Sequence, residues 1–273
     1  CAIPGIRGRF QSRTAESLLA EARQLAAIGV REINLLAQDS TSWGKDLPGR
    51  PRLETVLAEL DRVEGLAWIR LLYLYPTAIT DGLLDVLASG ERVLPYVDVP
   101  LQHASDRLLR AMKRGTTASR QRELVERLRS KVPGLTLRTT FIVGFPGETD
   151  ADFEELCEFV RTSRFDRMGA FRYSDEEGTA AYGYEGKVPR AVARERHREL
   201  LRIQREIMAE KLEAEVGREA TVLVDSDAAG QAHGRLASQA PEIDGVVFLE
   251  GEARPGQLVR ARITGVRGAD LDA

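Results

Sequence analysis

The sequence predicts an α/β fold: an incomplete barrel of parallel β/α units, followed by a small all-β barrel. Five β-branched and aromatic runs alternate with amphipathic helical stretches, the pattern of a parallel sheet with right-handed crossovers. Polar residues gather just after these runs, which in a parallel barrel puts them on one rim. Past Gly217 the runs shorten and are divided by Gly and Pro turns, as in a small closed barrel.

The elements follow in order. Residues 1–13 are basic, glycine-containing and without periodicity, and are expected to form a loop. Ser12 or Thr14 caps a helix reaching Ile28, with Leu18, Ala22 and Leu25 on one face and Gly29 ending it. Strands are predicted at 32–36, 69–74, 96–99, 137–143 and 167–173, with helices at 53–63, 83–88, 105–112, 119–131 and 151–160. The strands are apolar on both faces, as a helix-covered parallel sheet requires. From Pro189 to about Glu215 the chain reads as a long charged helix. Leu200, Leu201, Ile203, Ile207 and Leu212 form its apolar face, and its charges read as a solvated one. Short β-rich runs at 220–224, 246–249 and 258–263 complete the chain. The division expected is 1–209 for the α/β domain and 212–273 for the β domain.

The stretch 138–149, Arg-Thr-Thr-Phe-Ile-Val-Gly-Phe-Pro-Gly-Glu-Thr, reads as a buried strand, a glycine turn and a helix start. Gly144 and Gly147 flank Phe145-Pro146, so the backbone turns sharply and can approach a ligand closely. Thr149 with Asp152 resembles a capping box, and a helix N-terminus suits a carboxylate or phosphate. No Lys-Ser/Thr follows the turn, so it is not a phosphate-binding P-loop. Gln38 and Asp39, Tyr75 and Pro76, Gln102 and His103, and residues 173–176 end the other strands on the same rim.

The 273 residues carry a net charge of −3, which argues for no nucleic-acid partner. No run is long and apolar enough for a membrane span and no signal peptide is visible, so the cytoplasm is the expected compartment. Residues 212–273 hold six arginines against eleven carboxylates, a charge of −5. That sign favours a basic protein partner and makes direct nucleic-acid binding unexpected. Two cysteines exclude a disulfide framework. Cys157 falls on an apolar helix face and is expected to be inert core, as are Met112, Met168 and Met208.

Cys1-Ala2-Ile3-Pro4 followed by Arg7-Gly8 resembles the tail of the motif in radical S-adenosylmethionine methylthiotransferases. In that motif three cysteines, Cys-x3-Cys-x2-Cys, hold a 4Fe–4S cluster; the third matches Cys1. The chain therefore reads as the C-terminal part of a longer protein, with five of six barrel strands and a closing TRAM domain. Ala37-Gln38-Asp39, Leu101-Gln102-His103, the stretch 138–149 and Ala240-Pro241-Glu242-Ile243-Asp244-Gly245 also match the family. The branch that modifies a tRNA adenosine typically has Pro-Val-Gln-Ser-Gly-Ser-Asp where this chain has Pro100-Leu101-Gln102-His103-Ala104-Ser105-Asp106. The resemblance is to the other branch, which modifies an aspartate of small-subunit ribosomal protein twelve.

The resemblance implies a 4Fe–4S cluster with Cys1 as a ligand, S-adenosylmethionine on its open iron, and a second 4Fe–4S cluster in the N-terminal part. It implies transfer of a methylthio group to the aspartate β-carbon after hydrogen abstraction, an electron donor, and docking of the basic ribosomal protein on the acidic TRAM domain. Gln38 and Asp39 would receive the cofactor's amine or ribose hydroxyls. Gln102 and His103 would point toward cofactor or substrate. Arg138 would pair with the cofactor carboxylate or form a structural ion pair. Ile142, Gly144 and Pro146 would line the adenine side. Two rival readings are a cluster-free parallel-barrel lyase or isomerase, and a partner-docking module without catalysis. This stretch alone is expected to be inactive and to hold no stable cluster.

Overall fold

The computed structural model describes residues 3–228 and 231–273. The helix α1 (Ile3–Arg7) stands where a loop is expected; Pro4 is tolerated because first-turn N–H groups lack intrahelical partners, and Gly8, at φ +76°, leaves it. Helix α2 (Ala15–Ala27) begins at Thr14, whose hydroxyl accepts from Ser17 N–H. Five units follow: β1 (Glu32–Leu35), α3 (Leu53–Leu60), β2 (Trp68–Leu71), α4 (Asp81–Ser89), β3 (Val93–Asp98), α5 (Asp106–Ala111), α6 (Ala118–Lys131), β4 (Thr136–Val143), α7 (Asp150–Ser163) and β5 (Arg167–Arg172). The strands lie in sequence order and every pairing is parallel, so this part is a half-barrel of five strands.

The two faces of this sheet differ. Leu137, Phe141 and Val143 of β4 pack with Ile69, Leu71 and Val97 into the main core under the helices. The alternate residues, Arg138, Thr140 and Ile142, lie on the concave face and are only half-buried. Helix α8 (Arg190–Glu213) runs across β5 and α7, burying Leu200, Ile203 and Ile207. Its charges are not all solvated, as the sequence suggests: Arg196 is buried between Glu148 and Asp150.

The second domain holds β6 (Glu219–Ala228), β7 (Gln231–Leu236), β8 (Val247–Phe248), β9 (Leu258–Arg262), β10 (Gly265–Arg267) and β11 (Asp270–Asp272). They form one mixed sheet in the order β10-β11-β8-β7-β6-β9. Three of the strands, β7, β10 and β11, escape sequence reading. Polar His233 and Arg235 break the apolar run of β7, and the other two are three residues long.

This domain closes the lower, N-terminal part of the concave face. Trp68, Leu94 and Tyr96 pack against Leu223 and Ala240. Arg70, with no exposed surface, donates to Glu32 Oε1 at 2.9 Å and to the Ala237 and Gln239 carbonyls at 2.8 and 3.1 Å. Arg235 bonds the other Glu32 oxygen at 2.6 Å, and Tyr96 donates to Asp244 Oδ2 at 2.7 Å. What remains open is a cup at the carboxyl ends of the strands.

Candidate functional site: a cup at the carboxyl ends of the strands

The backbone leaves ordinary geometry at the mouth of the cup. Just past β2, β3 and β4, Tyr73, Gln102 and Gly144 have φ of +60°, +72° and +74°. Two of the three are not glycine, and such strain gathers at ligand sites. Gln102 is held there by β4: its N–H donates to Thr140 O at 2.9 Å and its carbonyl accepts from Ile142 N–H at 2.8 Å. The residue is 7% exposed, and its carboxamide makes no hydrogen bond among the described residues and is not sealed from solvent. The mouth also carries large apolar side chains, Leu36 at 67% and Phe171 at 63% exposure.

Two loops are stitched together over β1 and β2. Ser40 N–H donates to Tyr73 O at 3.0 Å, and Tyr75 N–H to Thr41 Oγ1 at 3.2 Å. Asp39 accepts from the Thr41 and Ser42 hydroxyls, so its carboxylate organises its own turn, while Gln38 stands exposed.

His103 is not on the lining, contrary to its expected approach to cofactor or substrate. It is fully buried, and its Nδ1 accepts from the N–H groups of Ala104 at 2.9 Å and Ser105 at 3.0 Å. Nδ1 therefore carries no proton, and the neutral ring carries it on Nε2. Burial pushes its pKa down to about 4. Nε2 has no hydrogen-bond partner among the described residues and lies 3.9 Å from Glu148 Oε2.

Glu148 is the anchor of the glycine turn. Oε2 accepts from Gly144 N–H at 2.6 Å and Phe145 N–H at 3.2 Å, and Oε1 accepts from Arg196 Nη1 at 2.9 Å. Burial raises the Glu148 pKa; Arg196 and the two amides oppose that. The capping box of α7 is present, with Thr149 and Asp152 bonded reciprocally, and Asp152 also accepts from Ser105 Oγ at 2.6 Å. Of the expected adenine-side residues, Ile142 faces the cup. Gly144 packs against Ala193 of α8, and Pro146 is buried.

On the cup floor Arg138 Nη1 donates to Asp98 Oδ1 at 2.9 Å, and Asp98 Oδ2 accepts from Tyr73 N–H at 3.1 Å. Cys157 is buried with its pKa pushed up to about 12 by burial, an inert thiol as expected. The expected cluster ligand Cys1 lies outside the described residues. Sequence reading missed Tyr73, Asp98, Glu148 and Arg196 as parts of the site. A glutamate four residues after the turn glycine was the one local signal.

A parallel half-barrel opening at the carboxyl ends of its strands is the scaffold of a class of cofactor-dependent enzymes, and the sequence profile of the radical SAM superfamily matches residues 1–160. The chain belongs to the radical SAM superfamily, which implies a 4Fe–4S cluster and S-adenosylmethionine as cofactors. Residues 216–273 match the TRAM domain. Among curated relatives, the chain is 50% identical to the ribosomal protein uS12 methylthiotransferase RimO of Sorangium cellulosum, over 99% of this chain and 58% of that one. It is 50% identical to the protein of the same description from Desulforudis audaxviator, over 100% and 61%, and 47% identical to that from Aquifex aeolicus, over 99% and 64%. The chain thus spans about 60% of the length of these relatives. Among solved structures, coproporphyrinogen III oxidase (HemN) from Escherichia coli aligns with a TM-score of 0.49 at 16% identity, over 72% of this chain and 46% of that one. Among the described residues no helix is long and apolar enough to cross a membrane.

Proposed function

We propose that this chain is the radical SAM and TRAM part of a methylthiotransferase that modifies an aspartate of ribosomal protein uS12. The carrying observation is the near-50% identity over essentially the whole chain to proteins of that description, across both domains. The mouth fits the implied cofactor. Gln102 offers an unpartnered carboxamide, Ile142 an apolar face, and the Gly144 turn a backbone held open by Glu148. Gln38 stands exposed beside them, and Asp39 fixes its loop. Cys1 would supply one thiolate. When bound, the cluster and S-adenosylmethionine supply the radical that removes a hydrogen atom from the substrate carbon. The protein's own part is to bind, orient and exclude water.

The TRAM domain would receive the basic ribosomal protein. Its arginines are largely tied to its own carboxylates, as in Arg235 with Asp225 and Arg267 with Asp272. Asp227, Glu242, Glu250 and Glu252 remain exposed and without an ion pair among the described residues. The setting proposed is the cytoplasm, where ribosomal proteins and reduced thiols are found.

The test is mass spectrometry of uS12 from cells with and without the full-length protein. The expected result is one aspartate heavier by a methylthio group in place of hydrogen, only when the protein is present. Loss of a modified adenosine in tRNA, with uS12 unchanged, would move the activity to nucleic acid and sink this reading.

A further inference from the structure

Among the described residues three arginines lie on the concave face of the half-barrel, and of these Arg138 keeps free donors toward the cup. Arg70 is fully used by Glu32 and two carbonyls under the β domain. Arg167 turns toward that domain, against Met208 Sδ at 3.2 Å and Asp244 Oδ1 at 3.9 Å. Arg138 sits one layer above Tyr96, two residues beyond the level where Tyr96 and Thr136 are paired. Its side chain is 19% exposed and donates a single N–H, to Asp98; its other donors make no hydrogen bond among the described residues. Asp98 is 2% exposed and has both oxygens engaged, by Arg138 and Tyr73 N–H, so it holds the guanidinium in place without occupying it.

The neighbours sharpen the point. Arg138 and Arg167 are direct partners across β4 and β5. Asp98 stands against the first and Asp244 against the second, so what Arg138 offers a further anion is its free N–H donors. Ile142 at the mouth lies four residues further along β4, about 13 Å at a strand's rise of about 3.3 Å per residue. Arg138 therefore addresses what is lowered into the cup rather than what lies across its mouth.

We infer that Arg138, positioned by Asp98, is the specificity-determining residue that receives the β-carboxylate of the substrate aspartate. This rests on the methylthiotransferase reading above. The bond to be broken is a C–H on the carbon next to that carboxylate. A planar guanidinium fork gripping both oxygens fixes the plane of the carboxylate and so presents one C–H to the mouth. It also rejects asparagine, which has the same shape without the charge.

The test uses the full-length protein with its cofactors, and two synthetic uS12 peptides: one carries the modified aspartate, the other asparagine in its place. Wild-type protein is expected to bind the aspartate peptide about 10–100-fold more tightly, the weight of one charge-assisted pair. Arg138→Gln alone strands Asp98, so it is paired with Asp98→Asn, which leaves a neutral hydrogen-bonded couple. That double variant should lose the preference and raise KM for the aspartate peptide by a similar factor. Its affinity for S-adenosylmethionine, measured in parallel, should change far less than its affinity for the aspartate peptide. Unchanged discrimination between the peptides overturns the inference. Loss of S-adenosylmethionine affinity with peptide binding intact overturns it too, and gives Arg138 to the cofactor carboxylate. Wild-type protein that modifies no uS12 aspartate overturns the function itself, and the inference with it.

Discussion

His103 keeps its imidazole neutral because two backbone amides already point at Nδ1 and no solvent reaches the ring. That makes it a rivet for the turn between Leu101 and Ser105, which in turn sets the unusual backbone of Gln102. The consequence is measurable. An unfolded histidine takes a proton near pH 6.5, whereas the folded one resists until about 4. The stabilisation is complete above pH 6.5 and is lost as pH falls toward 4, because acid favours the unfolded state over that window. Wild-type protein should lose about 2 kcal/mol through this group between pH 7 and pH 5. His103→Asn can still offer an oxygen to the two amides but has no ring to titrate. Urea unfolding at the two pH values should show a smaller drop for the variant by about that amount. An equal drop in both proteins would mean the ring is not protected from protons. Little of this was legible beforehand: a histidine after a strand looks the same in a list of residues whether it faces the cup or the core. Glu148 and Arg196 were hidden for a different reason, since 48 residues separate the two partners of that buried pair.

Among the elements, α8 has the widest reach. It packs on β5 and α7, carries Arg196 to the glycine turn, and ends where the second domain begins. Its Ala193 leaves no room behind Gly144: a Cβ at that position would stand 2.6 Å from the Ala193 Cβ, and φ is +74°. Gly144→Ala should therefore cost about 1–2 kcal/mol for the left-handed backbone alone, and more for the collision. Ala193→Gly removes the collision at about 1 kcal/mol of helix propensity. The double variant should be more stable than the sum of the two single losses, as read by denaturant unfolding. Strict additivity would show that α8 is not what confines the turn. The five strands and their helices were readable because each is an apolar run sealed on its outer face by a helix. The 138–149 stretch was readable because its capping box and both glycines are local signals. The strands β7, β10 and β11 were not, since pairing with neighbours, rather than their own composition, makes them strands.

At the scale of the whole molecule, a half-barrel exposes its inner face unless something fills it, and here the second domain does so from below. The junction is polar as well as apolar: Glu32 of β1 is shared by Arg70 of β2 and Arg235 of β7, with Asp225 completing the row. Glu32 and both arginines are almost wholly buried, so their value lies in being complete. Removing Arg70 leaves the buried Glu32 with Arg235 alone and opens the Ala237 carbonyl, while the Gln239 carbonyl keeps its 3.2 Å bond from Arg235. Arg70→Met is expected to cost about 3–5 kcal/mol and to split one cooperative unfolding transition into two, with the β domain released first. Glu32→Gln added to Arg70→Met removes one of the stranded charges and should recover part of that loss. A double-mutant cycle followed by calorimetry reads both effects. If Arg70→Met melts in a single transition at the wild-type temperature, the two domains are held by the Trp68, Leu94, Tyr96, Leu223 and Ala240 contacts alone. In the expected case the floor of the cup, one layer above Tyr96, is only as rigid as this junction. Arg138 then depends for its position on a domain that does not itself touch the mouth.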